Sequence, residues 1–143
     1  MKTFKITFVA LTLFLLIGNV KADKPKIHAY SNLKLSISTF IDADTRGICD
    51  GLTEIIDDNA RFNAMHAGHV LSFNKKQMVN YMQSLEGVEQ NCTTSYDVIE
   101  AHGNYVLVKV EMKYPTFSRF NYVTITECKG GWKIINVNSI FTK

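Results

Sequence analysis

Along the chain the spacing of apolar positions changes from helical to alternating. After a polar lead from Asp23 to Ala29, Leu33, Ile37, Phe40 and Ile41 recur at helical spacing. With Ser31 or Asn32 as N-cap, they predict an amphipathic first helix ending near Gly47. Leu52, Ile55 and Ile56 form one face of a shorter second helix that starts near Asp50 and is stopped by Asp57-Asp58-Asn59. A third helix is expected from about Lys75 to Leu85: Asn74 is its N-cap, Met78, Tyr81, Met82 and Leu85 its apolar stripe, and Gly87 its end.

Beyond that helix the period is two. Val106, Val108, Val110, Met112 and Tyr114 point one way while Lys109, Glu111 and Lys113 point the other, the pattern of a strand with one buried face. Strands over Phe120–Cys128 and Trp132–Phe141 are joined by Lys129-Gly130-Gly131, a short glycine loop suited to antiparallel neighbours. A further strand, Cys92–Ala101, leads through His102-Gly103-Asn104 into the valine strand. The order is three helices interleaved with a hairpin, then a four-stranded meander, which is an α+β fold. No internal repeat or linker interrupts it.

The hairpin is the segment ARFNAMHAGHVLSFN, residues 60–74, which carries His66 and His69. A turn centred on Ala67-Gly68 sets His66 opposite His69, Ala64 opposite Leu71 and Phe62 opposite Phe73. One side then becomes an apolar patch with the histidine pair at its end. Ala is a poor first residue for a tight primed turn, so a looser loop is the alternative. A metal site would require a third ligand close by, and the hairpin offers none. Sheet geometry accounts for the pair; a functional role would be a polar contact or proton exchange at a pocket rim.

Composition adds the compartment and excludes some partners. Lys2 and Lys5 precede an apolar run from Phe8 to Ile17, and Val20-Lys21-Ala22 offers small residues for a signal peptidase. That run is shorter than the roughly 20 apolar residues that span a bilayer. Residues 1–22 are therefore expected to be a signal peptide, residues 23–143 one domain, and the mature protein periplasmic or secreted, without a stable membrane anchor. The formal net charge is +3, and loss of Lys2, Lys5 and Lys21 would bring the 16 basic residues level with the 13 acidic ones. Such a chain lacks the basic footprint of a nucleic-acid binder. Cys49, Cys92 and Cys128 allow one bridge and one free thiol, or three thiols. Strand register places Cys92 near Tyr114 and Cys128 near Asn104, too far apart for a bond; a link from Cys49 to either stays open. No cysteine pair has zinc spacing, and no cofactor is expected.

The element order and the C-terminal GGWKIINVNSIF resemble the nuclear transport factor 2-like superfamily. Within it the chain looks most like small bacterial proteins labelled "putative lumazine-binding", near the polyketide cyclases and ketosteroid isomerases. The resemblance spans about Leu33 to Phe141 and rests on Gly47 through Asn59-Ala60-Arg61-Phe62, on Tyr122-Val123-Thr124-Ile125-Thr126, and on Gly131-Trp132-Lys133-Ile134-Ile135. It implies three N-terminal helices packed on a curved antiparallel sheet, a cystatin-like cone with a cavity.

Which residues line that cavity depends on register. A turn near Thr116 sets Val108, Val110 and Met112 beside Thr124, Tyr122 and Phe120. If Cys128 pairs with Trp132, then Thr126, Thr124 and Tyr122 neighbour Ile134, Asn136 and Asn138. This predicts a mostly apolar pocket with Tyr122, Thr124, Thr126, Asn136 and Asn138 as ligand contacts, joined by His66 and His69 at the rim. The alternative, Lys129 opposite Trp132, turns Ile135, Val137 and Phe141 inward and exposes both asparagines. Three functions follow: a non-catalytic exported domain binding a small apolar or aromatic molecule, an isomerase or dehydratase using acid/base chemistry, and a homodimerisation module using Tyr105 and Leu107 on the outer face. No carboxylate is expected inside; Asp42 and Asp44 are assigned to the solvated end of the first helix.

Overall fold

The structure is a computed structural model and describes residues 27–143. The expected signal peptide lies outside the described residues. The elements run α1 (Ile27–Arg46), α2 (Leu52–Ile55), β1 (Ile56–His66), β2 (His69–Asn74), α3 (Lys75–Ser84), β3 (Thr93–His102), β4 (Tyr105–Lys113), β5 (Ser118–Cys128) and β6 (Gly131–Thr142). The strands form one curved, unclosed six-stranded sheet in the order β2-β1-β6-β5-β4-β3. All neighbours are antiparallel except β1 and β6, which are parallel. No helix among the described residues is long and apolar enough to cross a membrane.

The apolar stripe of α1 lies where its spacing puts it: Leu33, Ile37, Phe40 and Ala43 are buried against the concave face of the sheet. The helix begins at Ile27, so Ser31 and Asn32 stand inside it rather than capping it. Gly47 ends it in the left-handed region at φ +62°, and its carbonyl accepts from Gly87 N at 3.0 Å, tying the end of α1 to the end of α3. The second helix is a single turn, and Asp57-Asp58-Asn59 fall inside β1 instead of stopping a helix. Local bonds adapt them to the strand: Asp57 Oδ1 accepts from Asn59 N at 2.9 Å, and Lys75 Nζ reaches Asp58 Oδ1 at 2.8 Å. The α3 start agrees with its sequence signal. Asn74 and Gln77 form a reciprocal capping box.

The β1–β2 hairpin has the expected register through to His66 opposite His69. Its turn is tight, with Ala67 at φ +49° and Gly68 at φ +80°. In the meander, Val106, Val108, Val110 and Met112 form a buried row, each at most 3% exposed. The register against β5 differs from expectation by one residue: Val108 faces Val123, Val110 faces Asn121 and Met112 faces Arg119. The β4–β5 connection is the reason. Tyr114 N donates to Phe117 O at 2.9 Å and the two rings stack at 4.4 Å, closing a loop that pairs Lys113 with Ser118.

A one-residue change exchanges the faces of a strand. Val123 and Ile125 therefore join the valine row, and Tyr122, Thr124 and Thr126 turn to the outer face. Burying each large aliphatic chain contributes roughly 1.5–3 kcal/mol, so the aliphatic register prevails over one that buries a phenol and two hydroxyls. At the β5–β6 turn Cys128 faces Gly131 and Glu127 faces Trp132, which is neither of the two expected pairings. A bulge at the Thr124/Ile125 step then restores Thr124 opposite Asn136 and Tyr122 opposite Asn138, with both asparagines outside. Cys49, Cys92 and Cys128 are all free thiols.

Candidate functional site

Between the concave face of the sheet and the helices α1 and α3 lies a cavity of about 560 Å³. Its apolar walls come from Phe40 of α1, Phe62 and Ala64 of β1, Leu71 and Phe73 of β2, Met78, Tyr81 and Met82 of α3, and Val137 and Phe141 of β6. The hairpin patch deduced from residues 60–74 thus forms one wall. His66 lines the mouth, whereas His69 is exposed on the neighbouring strand and is not part of the lining. Among the described residues no three His, Cys, Asp or Glu side chains converge as metal ligands.

The five polar residues expected inside, Tyr122, Thr124, Thr126, Asn136 and Asn138, do not reach this cavity. Their face of the sheet is the outer one, where Asn63 Nδ2 donates to Asn136 Oδ1 at 3.3 Å and Asn138 Oδ1 at 3.0 Å, and Thr126 Oγ1 donates to Asn104 O at 2.9 Å. Asn63 thus ties the two asparagine oxygens together across β1 and β6, and the β4 entry holds Thr126.

The cavity's polar end is built instead from Asp44, Arg119, Asn121 and Ser139. Asp44 extends the α1 stripe, standing one helical turn beyond Phe40, so the helix that buries Phe40 carries the carboxylate in with it. Arg119 and Asn121 alternate in step with Val123 and Ile125 on β5, and Ser139 sits beside Asn121 on β6. Arg119 Nη2 lies 2.9 Å from Asp44 Oδ2, and the two side chains are 17% and 9% exposed. Asn121, 1% exposed, donates Nδ2 to the same Oδ2 at 3.1 Å and accepts Ser139 Oγ at 2.7 Å, which orients its amide. Arg119 Nε also meets the Met112 sulfur at 3.2 Å.

Burial raises the Asp44 carboxyl above its ordinary value, while Arg119 and Asn121 pull it down. The pair is backed from outside the cavity: Gln90 Nε2 donates to the Asp44 carbonyl, and Tyr114 Oη donates to Gln90 Oε1. Burial pushes the Tyr114 hydroxyl up to about 12, so it stays a donor.

The expectation that no carboxylate points inward is therefore corrected. A signal was available: Leu33, Ile37, Phe40 and Asp44 follow one helical stripe, and an acid within an apolar stripe is a buried group requiring a partner. The partner itself stood on the mis-registered strand.

A second depression of about 540 Å³, lined by Asp58, Arg61, Lys75 and Lys76 among others, is more open to solvent. Lys75 and Asp58 pair with each other there.

A family model described as "Putative lumazine-binding" matches residues 30–139. No curated protein matches the chain. Solved structures resemble it in fold. An NTF-2-like protein of unknown function from Silicibacter pomeroyi has a TM-score of 0.67 at 17% identity, covering 80% of this chain and 96% of its own. One from Methylobacillus flagellatus has 0.68 at 13%, covering 84% and 97%. A domain of unknown function with a cystatin-like fold from Nostoc punctiforme has 0.56 at 17%, covering 80% and 77%.

Proposed function

The chain belongs to the family described as "Putative lumazine-binding", and from that membership we propose that it binds a small, flat, largely apolar molecule in the cavity beneath the sheet. The observation that carries this reading is the composition of one space. A cavity of about 560 Å³ has aromatic, aliphatic and methionine walls and ends on Asp44, Arg119, Asn121 and Ser139. A pocket that buries most of a ligand against apolar surface and fixes it with a few placed polar groups is the usual form of a small-molecule site. The apolar run from Phe8 to Ile17 supports export as the setting.

The binding is proposed to be non-catalytic. Asp44 Oδ2 already accepts from Arg119 and Asn121, an arrangement that holds the carboxylate still. A second reading, isomerisation or dehydration, is favoured by one observation: a carboxyl raised by burial beside an apolar cavity has the character of a proton shuttle. In that reading Asp44 replaces His66 and His69 as the base.

Calorimetric titration with naphthalene, 2-quinolinone and lumazine tests binding. At least one should bind saturably at one site, and Leu71→Asp, on a wall position that is 47% exposed, should weaken it about tenfold without lowering stability. Absence of saturable binding by all three overturns the proposal. Enolisable ketones offered as substrates separate the second reading, because turnover abolished by Asp44→Asn would establish catalysis.

A further inference from the structure

The ion pair at the cavity's end keeps one acceptor and one donor unengaged. Asp44 Oδ2 accepts from both Arg119 Nη2 and Asn121 Nδ2. Arg119 directs Nη2 at Asp44 and, with Nε, at the Met112 sulfur. Asp44 Oδ1 and Arg119 Nη1 hydrogen-bond to nothing among the described residues. Neither is sealed in protein, since the one fully buried side-chain N or O without a partner there is Trp132 Nε1. Both side chains line the cavity.

We infer that the Asp44–Arg119 pair reads the edge of a neutral cyclic lactam, Oδ1 accepting from the ring N–H and Nη1 donating to the adjacent ring carbonyl. The inference rests on the cavity being the ligand site, and it adds the chemical class and the two residues that select it. Three arguments lead to it.

Charge comes first. Asp44 and Arg119 balance one another, so an ionised ligand group would bring an unpaired charge into a site of low exposure. A carboxylate could take Nη1 but would face Oδ1. Hydrogen bonding comes second. A hydrocarbon leaves both Oδ1 and Nη1 without partners, and sites built to bond a ligand's polar group reject analogues that lack it. A cis-lactam is neutral, carries a donor and an acceptor side by side on one planar edge, and holds that edge rigidly in the plane of a ring. Shape comes third. Phe62 and Phe73 offer rings, and Met78 and Met82 polarisable thioethers, surfaces on which a flat heteroaromatic packs well.

Four neutral or anionic bicyclic probes distinguish the outcomes by calorimetry: 2-quinolinone, N-methyl-2-quinolinone, naphthalene and 2-naphthoate. The lactam should bind on the order of tenfold tighter than each of the others. Asp44→Asn should erase the gap between 2-quinolinone and its N-methyl analogue, because the Asn121 donor holds the amide oxygen and leaves an N–H where Oδ1 stood. If 2-quinolinone and naphthalene bind equally, the lactam assignment is overturned while the cavity remains a binding site. Tighter binding of 2-naphthoate overturns it in favour of an anion site. If none binds, both proposals go. Should Asp44→Asn fail to fold, the N-methyl comparison on the parent protein decides alone.

Discussion

Arg119 on β5 places its Nη2 2.9 Å from Oδ2 of Asp44 in the last turn of α1, with neither side chain more than 17% exposed. The contact joins the helix layer to the sheet at the polar end of the cavity. Removing one member of such a pair leaves the other buried and uncompensated, which typically costs about 3–5 kcal/mol. Arg119→Met should therefore lose on the order of that amount near neutral pH, and the double variant Asp44→Leu with Arg119→Met should recover most of it. Urea unfolding followed by the fluorescence of Trp132, the single tryptophan and 6% exposed, measures both. A double variant no more stable than Arg119→Met would show that the pair is not the source of the loss.

The same carboxylate should give stability a pH dependence. Burial raises its folded value above the ordinary 3.8. A carboxyl so raised holds its proton more tightly folded than unfolded, so its contribution to stability is full below 3.8 and is lost as pH rises through the folded value. Asp58, held low by its bond to Lys75, has the opposite slope and is common to parent and variant. Asp44→Asn should accordingly gain on the parent as pH is raised from about 4 to 7. A stability difference that stays constant over that range would contradict the raised carboxyl.

Gly47 should tolerate no side chain. Its φ of +62° disfavours L residues, and a Cβ there would stand 2.5 Å from Gly87 N and 2.9 Å from Val88 N. Backbone atoms cannot swing aside as a side-chain end can. Gly47→Ala is expected to cost on the order of 2–3 kcal/mol. Gly103→Ala, with φ +55° but open space around it, should cost less. Thermal unfolding of the two variants gives the comparison, and equal losses would mean that the close approach adds nothing to the φ strain.

Ala67 offers the reverse case. It occupies the left-handed region at φ +49° in a turn where Asn-Gly is the favoured pair. Ala67→Asn should stabilise the hairpin by about 0.5–1 kcal/mol. Slower amide exchange across β1 and β2 is the direct measurement; unchanged exchange would mean that the strands, not the turn, hold the hairpin closed. Ligand affinity should stay the same, because residue 67 does not line the cavity.

Local chemistry carried much of this protein by itself. The α1 stripe, the Asn74 cap, the His66–His69 register and the valine row each depend on interactions within a few residues or across one short turn. Their patterns are written where they act. So was one cavity wall, because the hairpin's register follows from its own turn. The family, too, was recognisable from the segments around Phe62, Tyr122 and Trp132.

Tertiary structure decided the other wall. Whether Tyr122 or Val123 turns inward depends on one residue of loop length between β4 and β5, and the stacking of Tyr114 on Phe117 sets that length. Because a strand's side chains alternate, this single residue turned Tyr122 and the two threonines of β5 outside and brought Arg119 and Asn121 inside, and the bulge at Thr124/Ile125 set Asn136 and Asn138 on the outer face beside them. Asp44 could be seen on an apolar stripe, but its meaning lay in a partner from another layer. A buried charge is explained only by what neutralises it, and that relation is long-range in the chain while short in space.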